Sequence, residues 1–312
     1  MATKNIFITG ATGFIGAALF QRLLNQSVGN CRFILLSRKQ QNFEGKYSQN
    51  IIWVEGNIND LDLMCSIILN YKINTIYHLA AQALITEYFN NPYLSYIDTV
   101  MGQVTILEAV RNVGMKHIEK IIIITSYKVY GNSKGPFTEE TLFDPQNTYE
   151  TAKSCQDLIA KNYFYSYGLP INIIRACNIF GPNDKNNERL IPKTIYLIKN
   201  NNCPEVFKTV RNNKREYLYI DDAIDAILLI EKKANPGEVY CLGGDIYLTI
   251  ENIVNKICSV MEFPQGYNLI DDNIYSKESN EHKIDNSKLK KLGWMPKVMF
   301  KSGLIKCIEA IQ

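Results

Sequence analysis

The chain has 312 residues, 46% of them apolar and 21% charged, with 34 basic against 31 acidic side chains for a net charge of +3. A chain of this length and composition buries about three quarters of its unfolded surface, which excludes disordered, fibrous and disulfide-scaffold classes. So small a net charge, with no long basic run, gives no electrostatic reason to expect a nucleic-acid or membrane partner.

Asn5–Thr9 (NIFIT) reads as a strand and Phe14–Leu24 as a helix. Arg32–Ser37, Ile51–Val54 and Thr75–Leu79 read as strands, and Tyr96–Val113 as a helix. Lys120–Ser126 (KIIIITS) is a strand apolar on both faces, followed by a helix over Thr148–Tyr167 and a strand over Asn172–Arg175. Continuously apolar strands alternating with helices predict an α/β fold, a doubly wound parallel sheet covered on both faces. Beyond about residue 180 the pattern changes: 183–187 and 199–204 are loop-like and Asp271–Asn286 is polar. The expected division is a first domain over 1–180, with returns near Tyr217–Ile230 and Val239–Leu242, and a smaller C-terminal α/β lobe over 181–312.

The eight cysteines, Cys31, Cys65, Cys155, Cys177, Cys203, Cys241, Cys258 and Cys307, show no CxxC spacing. No metal site is expected, and the thiols suit a reducing compartment. No apolar run reaches the ~18 residues of a membrane span. Met1–Asn5 leads straight into a strand and not into a signal peptide, so the expectation is a cytoplasmic protein.

Gly10-Ala-Thr12-Gly13-Phe14-Ile15-Gly16 follows the first strand and opens a helix. Glycines in such a turn let backbone amides approach a pyrophosphate at the positive helix end, so dinucleotide binding is expected. The second strand ends in Ser37-Arg38-Lys39, with no acidic residue to hold an NAD 2′-hydroxyl. Ser37 and Arg38 suit a 2′-phosphate and favour NADP over NAD; the alternative is a solvated basic loop. Asn57-Ile58, after the third strand, is placed to meet the adenine. His78 to Gln82, with Leu79, Ala80 and Ala81, is placed to line the phosphates and the nicotinamide side.

Tyr149 and Lys153 stand at i and i+4 of a predicted helix and share one face. A cation beside a phenol lowers its pKa and readies it to remove a hydroxyl proton while hydride leaves the same carbon. Ser126 ends the fifth strand, on the ligand-binding edge of an open α/β sheet, where it can hydrogen-bond that hydroxyl.

With these features in order, the chain resembles the extended short-chain dehydrogenase/reductases, in the NAD-dependent epimerase/dehydratase family acting on nucleotide sugars. TGATGFIG, HLAAQ, TSYKVYG, YETAK, RACNIFGP, REYLYIDDAIDAI and LGWMP carry the resemblance over nearly the whole chain. HLAAQALI, TSYK and RACNIFGPNDKNNERLIP are most similar to CDP-glucose 4,6-dehydratases. The resemblance implies a Rossmann fold with a smaller nucleotide-sugar lobe, a tightly bound NADP or NAD, and a 4,6-dehydratase reaction. It makes Tyr149 the base at the sugar C4, Lys153 its support and Ser126 the holder of the hydroxyl. Lys128 falls where the family handles the C5 proton. Tyr127 falls where these dehydratases carry an aspartate for the C6 hydroxyl, a departure that keeps C4 or C2 epimerisation open as the alternative. Gln82 and Asn178, the latter at the end of the sixth strand, fall on the substrate side. Arg215 falls on the diphosphate arginine, and Arg189 is either a second one or a surface salt bridge. Asp221 and Asp222 are expected to cap a helix, His117 and His282 to lie at the surface, and His78 to be structural near the cofactor. The helices Tyr96–Val113 and Thr148–Tyr167 resemble the pair forming a four-helix homodimer bundle.

Overall fold

The computed structural model describes residues 3–27, 30–41, 48–82, 85–244, 246–271 and 283–310. His282 and the central part of the polar stretch Asp271–Asn286 lie outside them, as do Ala83 and Leu84 of the HLAAQALI motif.

A seven-stranded sheet is built from β1 (Lys4–Thr9), β2 (Cys31–Ser37), β3 (Ile51–Glu55), β4 (Thr75–His78), β5 (Lys120–Ser126), β6 (Ile171–Ala176) and β10 (Val239–Leu242), in the order β10-β6-β5-β4-β1-β2-β3. The pairings β3–β2, β2–β1, β1–β4 and β4–β5 are parallel, as the apolar strands require. This is the expected Rossmann-type architecture. The order turns back at β1, which has β2 on one side and β4 on the other, so a switch point lies at their carboxyl ends. The strands bury Phe7, Ile34, Ile76, Ile121 and Ile123 against Met64 and Ile67 of helix α2 (Leu61–Asn70) and Ile106, Leu107 and Val110 of α5 (Gly102–Val113). Each such side chain contributes roughly 1.5–3 kcal/mol.

Two helices differ in how well their pattern foretold them. Helix α6 spans Thr148–Tyr167 as expected: the Asn147 side chain accepts the Glu150 amide at 3.0 Å, and Gly168 closes the helix at φ +71°. The helix expected over Tyr96–Val113 is instead interrupted. A short α-helix, α4 (Pro92–Tyr96), passes into a π turn at Ile97–Met101 and only then into α5. The Gly102 amide bonds to the Ile97 carbonyl, and a Cβ on Gly102 would come within 2.9 Å of Ile58.

The chain divides into two compact units. The first comprises Met1–Val129, Asn147–Arg175 and Ile227–Tyr240. The second comprises Tyr130–Gln146, Ala176–Ala226 and Cys241–Gln312. Within the second, β7 (Asn178–Phe180), β9 (Lys214–Tyr219) and β11 (Ile246–Thr249) form a sheet in which β9 is parallel to β7 and antiparallel to β11. Tyr217–Tyr219 therefore pairs in this small sheet and not in the parallel one. Helix α8 (Ile220–Lys233) begins one residue before Asp221, so neither aspartate is its cap. Asp221 and Asp222 sit in the first turn, where carboxylates suit the helix dipole. The Asp222 carboxylate accepts the Lys297 and Val298 amides at 3.0 and 2.9 Å and ties down the C-terminal segment. Four cysteines are buried and four half-buried, all as thiols. No helix among the described residues is long and apolar enough to cross a membrane.

Candidate active site

The glycine loop is closed on one side and open on the other. Gly10 follows β1 at φ +73°, and a Cβ there would lie 2.8 Å from the Ala80 amide nitrogen and the Leu79 carbonyl carbon. A Cβ on Gly16 would lie 2.1 Å from the Gly10 oxygen. The Gly13 amide donates to that oxygen at 3.0 Å, and the Ala17 amide donates to the Gly13 carbonyl at 2.8 Å. Phe14 and Ile15, half-buried, open helix α1 (Phe14–Ser27), while Thr12 and Gly13 are exposed. The loop is thus held against the end of β4 and leaves backbone and a helix N-terminus facing outward, a cradle that fits a pyrophosphate. Leu79, Ala80 and Ala81 flank it, all half-buried.

At the end of β2, Ser37 is buried, with its oxygen accepting the Lys39 amide at 3.4 Å. Arg38 projects outward, 84% exposed, with its guanidinium 4.0 Å from the carboxylate of Asp98 in the π turn. An acidic side chain from a distant segment thus stands beside the basic end of β2. Asn57 is exposed and accepts the Asn59 amide at 3.0 Å, which shapes the turn before α2. Ile58 is half-buried against the apolar core.

His78, at the end of β4, is 1% exposed, and its Nδ1 lies 2.9 Å from the Thr9 hydroxyl, which also accepts the Ala80 amide at 3.3 Å. Its Nε2 is buried without a hydrogen-bond partner. Burial, aided by the Lys153 charge, pulls its pKa down to about 3, so the ring is neutral. It ties β4 to β1 beside the glycine loop, a structural part. His117 is exposed.

Ser126 closes β5, buried, its oxygen accepting the Lys128 amide at 3.2 Å. Tyr127 opens a single 3-10 turn and is only 3% exposed. Lys128 is half-buried, with Nζ 5.7 Å from the Tyr127 ring centre. On α6, Tyr149 is half-buried and Lys153 is 6% exposed, with Nζ 6.0 Å from the Tyr149 ring centre. Desolvation pulls the Lys153 ammonium down to about 8. The helix therefore does present the two on one face, a phenol with a buried amine beside it.

Three polar residues that sequence reasoning missed join this pair. Lys153 donates to the Gln156 side-chain oxygen at 2.8 Å, and the Gln156 amide nitrogen donates to the Thr99 carbonyl at 3.1 Å. The Thr99 hydroxyl lies 2.7 Å from the Tyr88 hydroxyl and accepts the Gln82 amide at 3.2 Å. Tyr88 in turn stands edge-on to Tyr149. Gln156 lies on the stripe of Tyr149 and Lys153 and could have been found by extending it one turn. Nothing local marks Tyr88 or Thr99.

In the second unit, Asn178 does not end β6 but opens β7, donating to the Glu216 carbonyl at 3.0 Å. Its partner in register is Tyr217 of β9, two residues from Arg215 on the same face. Arg215 is buried, and its guanidinium donates to the Lys214 carbonyl at 3.0 Å. Asn178 and Arg215 thus lie on adjacent strands. Arg189 precedes α7 (Leu190–Lys199) and pairs at 3.0 Å with the buried carboxylate of Asp184.

A family model described as GDP-mannose 4,6 dehydratase matches residues 7–307. The chain belongs to the GDP-mannose 4,6-dehydratase family. The family assignment upholds the resemblance drawn from the sequence motifs. A trifunctional UDP-glucose 4,6-dehydratase/UDP-4-keto-6-deoxy-D-glucose 3,5-epimerase/UDP-4-keto-L-rhamnose-reductase, RHM1 of Arabidopsis thaliana, is 29% identical over 98% of this chain and 46% of that protein. This family member spans about half the length of the three such plant enzymes it matches. The crystal structure of dTDP-glucose 4,6-dehydratase from Bacillus anthracis str. Ames in complex with NAD has a TM-score of 0.84 and 27% identity, over 99% of this chain and 96% of that one. UDP-glucose 4-epimerase from Thermotoga maritima has a TM-score of 0.87 at 23% identity, over 98% of each chain, which shows a shared fold.

Proposed function

We propose that this protein is a nucleotide-sugar 4,6-dehydratase that keeps a nicotinamide dinucleotide bound through its cycle. The observation that carries this is the buried Lys153 ammonium beside the Tyr149 phenol on α6 of a 4,6-dehydratase family member. Gly10 to Gly16, with Leu79, Ala80 and Ala81, would hold the pyrophosphate, Asn57 and Ile58 the adenine, and Ser37 and Arg38 the adenosine ribose. Arg38 favours NADP, a preference that Asp98 counters. The cofactor would supply a hydride acceptor at the sugar C4 and a hydride donor at C6.

Tyr149 removes the C4 hydroxyl proton, Ser126 holds that hydroxyl, and Lys153 stabilises the phenolate. The 4-keto group then acidifies C5, from which Lys128 takes a proton, while Tyr127 protonates the departing C6 hydroxyl as water leaves. Gln82, Asn178, Arg215 and Arg189 are assigned to the sugar nucleotide. Arg215 is buried on the strand next to Asn178, and Arg189 is held by Asp184. Lys128 at the C5 position aligns the chain with the CDP-glucose type. Homodimerisation through α5 and α6 is supported by Leu158 and Tyr165, exposed apolar side chains two turns apart on α6, and a cytoplasmic location by scattered cysteines that suit a reducing compartment.

A second reading, epimerisation at C4 or C2, is favoured by Tyr127, an enclosed phenol where an acid is needed for elimination. Incubation with CDP-, dTDP-, UDP- and GDP-hexoses decides. A product lighter by one water and absorbing in strong alkali supports dehydration. A product of unchanged mass with inverted stereochemistry establishes epimerisation. No turnover of any of them rejects both.

A further inference from the structure

The stripe of helix α6 that carries Tyr149 and Lys153 continues, two turns beyond the tyrosine, into Gln156, which is 1% exposed. Its side-chain amide is used at both ends. Oε1 accepts the Lys153 ammonium at 2.8 Å, and Nε2 donates to the Thr99 carbonyl at 3.1 Å. Only this orientation satisfies both neighbours, because an ammonium only donates and a carbonyl only accepts. Its backbone carbonyl accepts the Gln103 side chain at 2.7 Å, a second tie to the helix that follows the π turn.

Thr99 is the point where two arms meet. Its carbonyl, in the π turn, holds Gln156, and its hydroxyl lies 2.7 Å from that of Tyr88. The Tyr88 ring packs edge-on against Tyr149, with centroids 5.0 Å apart. The phenol and the cation are therefore both anchored to one residue of an irregular turn, a placement common for π turns at functional sites.

We infer that Gln156 is a positioning residue that clamps the Lys153 ammonium to the π turn and so fixes the cation beside Tyr149. The inference rests on the reading of Tyr149 and Lys153 as the working pair. The physical reason is twofold. A lysine side chain has four rotatable bonds, and a buried acceptor restricts it to one arrangement. An amide oxygen against an ammonium in a dry site also favours its charged form, the form that stabilises a phenolate.

The test is a pH titration of the full chain labelled with 13Cε-lysine, the Lys153 resonance being identified by its loss in Lys153→Met. In Gln156→Met, of similar shape but without the amide, the Lys153 midpoint should move down by about half a pH unit or more, as loss of an acceptor to a charge requires. In Gln156→Glu the carboxylate should move it up. Where Gln156→Met does not fold, the Glu variant alone decides. Superimposable wild-type and Gln156→Met titrations, or an unmoved midpoint in Gln156→Glu, overturn the clamp. The titration is read without substrate, so its failure is distinct from failure of the functional reading. With a turned-over sugar nucleotide in hand, Gln156→Met should lower kcat by ~10-fold, with KM and NAD affinity within ~3-fold. A rise in KM alone, at unchanged kcat, also overturns it.

Discussion

The Tyr88 ring meets Tyr149 edge-on, at an interplanar angle of 86°, and its hydroxyl lies 2.7 Å from that of Thr99. Edge-to-face contact of this kind is worth ~1 kcal/mol beyond the area it buries, and here it packs a buried ring against the phenol assigned as base. Tyr149→Phe is expected to lower turnover by ~100-fold or more, as loss of an acid–base group does, while NAD binding persists. Tyr88→Leu keeps the base but removes this edge-on contact, so kcat should fall ~10-fold with smaller change in KM. Normal turnover by Tyr149→Phe with any accepted sugar nucleotide would remove the assigned base.

The Arg38 guanidinium and the Asp98 carboxylate, 4.0 Å apart, bear on the choice of dinucleotide. A carboxylate at the adenosine ribose accepts a 2′-hydroxyl and repels a 2′-phosphate, whereas an unopposed guanidinium does the reverse. Asp98→Asn should therefore tighten NADP by ~10-fold relative to NAD, and Arg38→Ala should weaken NADP selectively. Calorimetric titration of both variants with both dinucleotides checks this. An unchanged ratio in both would place the pair outside the ribose site.

How much of this was legible follows from where the information lies along the chain. Helix α6 was read to its ends because its cap, Asn147, and its stop, Gly168, are local signals. Strand β5 was read because a run such as IIII has to be buried on both faces. The π turn was not, since Ile97–Met101 keeps an acceptable helical pattern and no local residue marks the break. The same holds for Asp98 beside Arg38 and for Tyr88 against Tyr149. Each is a contact between segments far apart in sequence, and nothing in either segment names the other. Asn178 was placed on the wrong strand because Cys177 separates β6 from β7 without any turn residue to mark the break.

His78 makes acid stability a measurable consequence. Its pKa is pulled from 6.5 to about 3 in the folded state by burial first and Lys153 second. A depressed pKa gives stability that is fully present above the unfolded value of 6.5 and is lost as pH falls toward 3. Within that window the residue should add up to ~1.4 kcal/mol of destabilisation per pH unit, one proton's worth. Urea denaturation between these limits should be less steep in pH for His78→Asn than for the wild type. Parallel curves would mean that the ring is not held neutral.

Lys153 should set the alkaline limit of turnover. Burial holds its ammonium near 8, so above that value the amine becomes neutral and the Tyr149 phenolate loses its counter-charge. The kcat/KM profile should therefore decline above about pH 8. In Lys153→Arg, whose guanidinium stays charged, the residual activity should lose that decline. A wild-type profile flat well beyond this pH would show that the lysine charge does not support the phenolate.

The orientation of α6 against the sheet depends on a charge pair with no exposure at all. Arg175 of β6 donates to Asp157 of α6 through Nε at 2.7 Å and through a terminal nitrogen at 2.9 Å, both side chains being fully buried. Two parallel bonds suit a guanidinium and a carboxylate, and they fix the helix one turn beyond Lys153. Asp157→Asn takes the carboxylate partner from a buried guanidinium and should cost ~3–5 kcal/mol, a fall in Tm of roughly 10 °C, whereas Arg175→Met should cost less, because the Lys161 ammonium stands 3.4 Å from the Asp157 carboxylate. Asp157→Leu combined with Arg175→Met removes both charges and should recover much of that loss. If the single variants melted within ~2 °C of the wild type, the pair would not be what holds the helix.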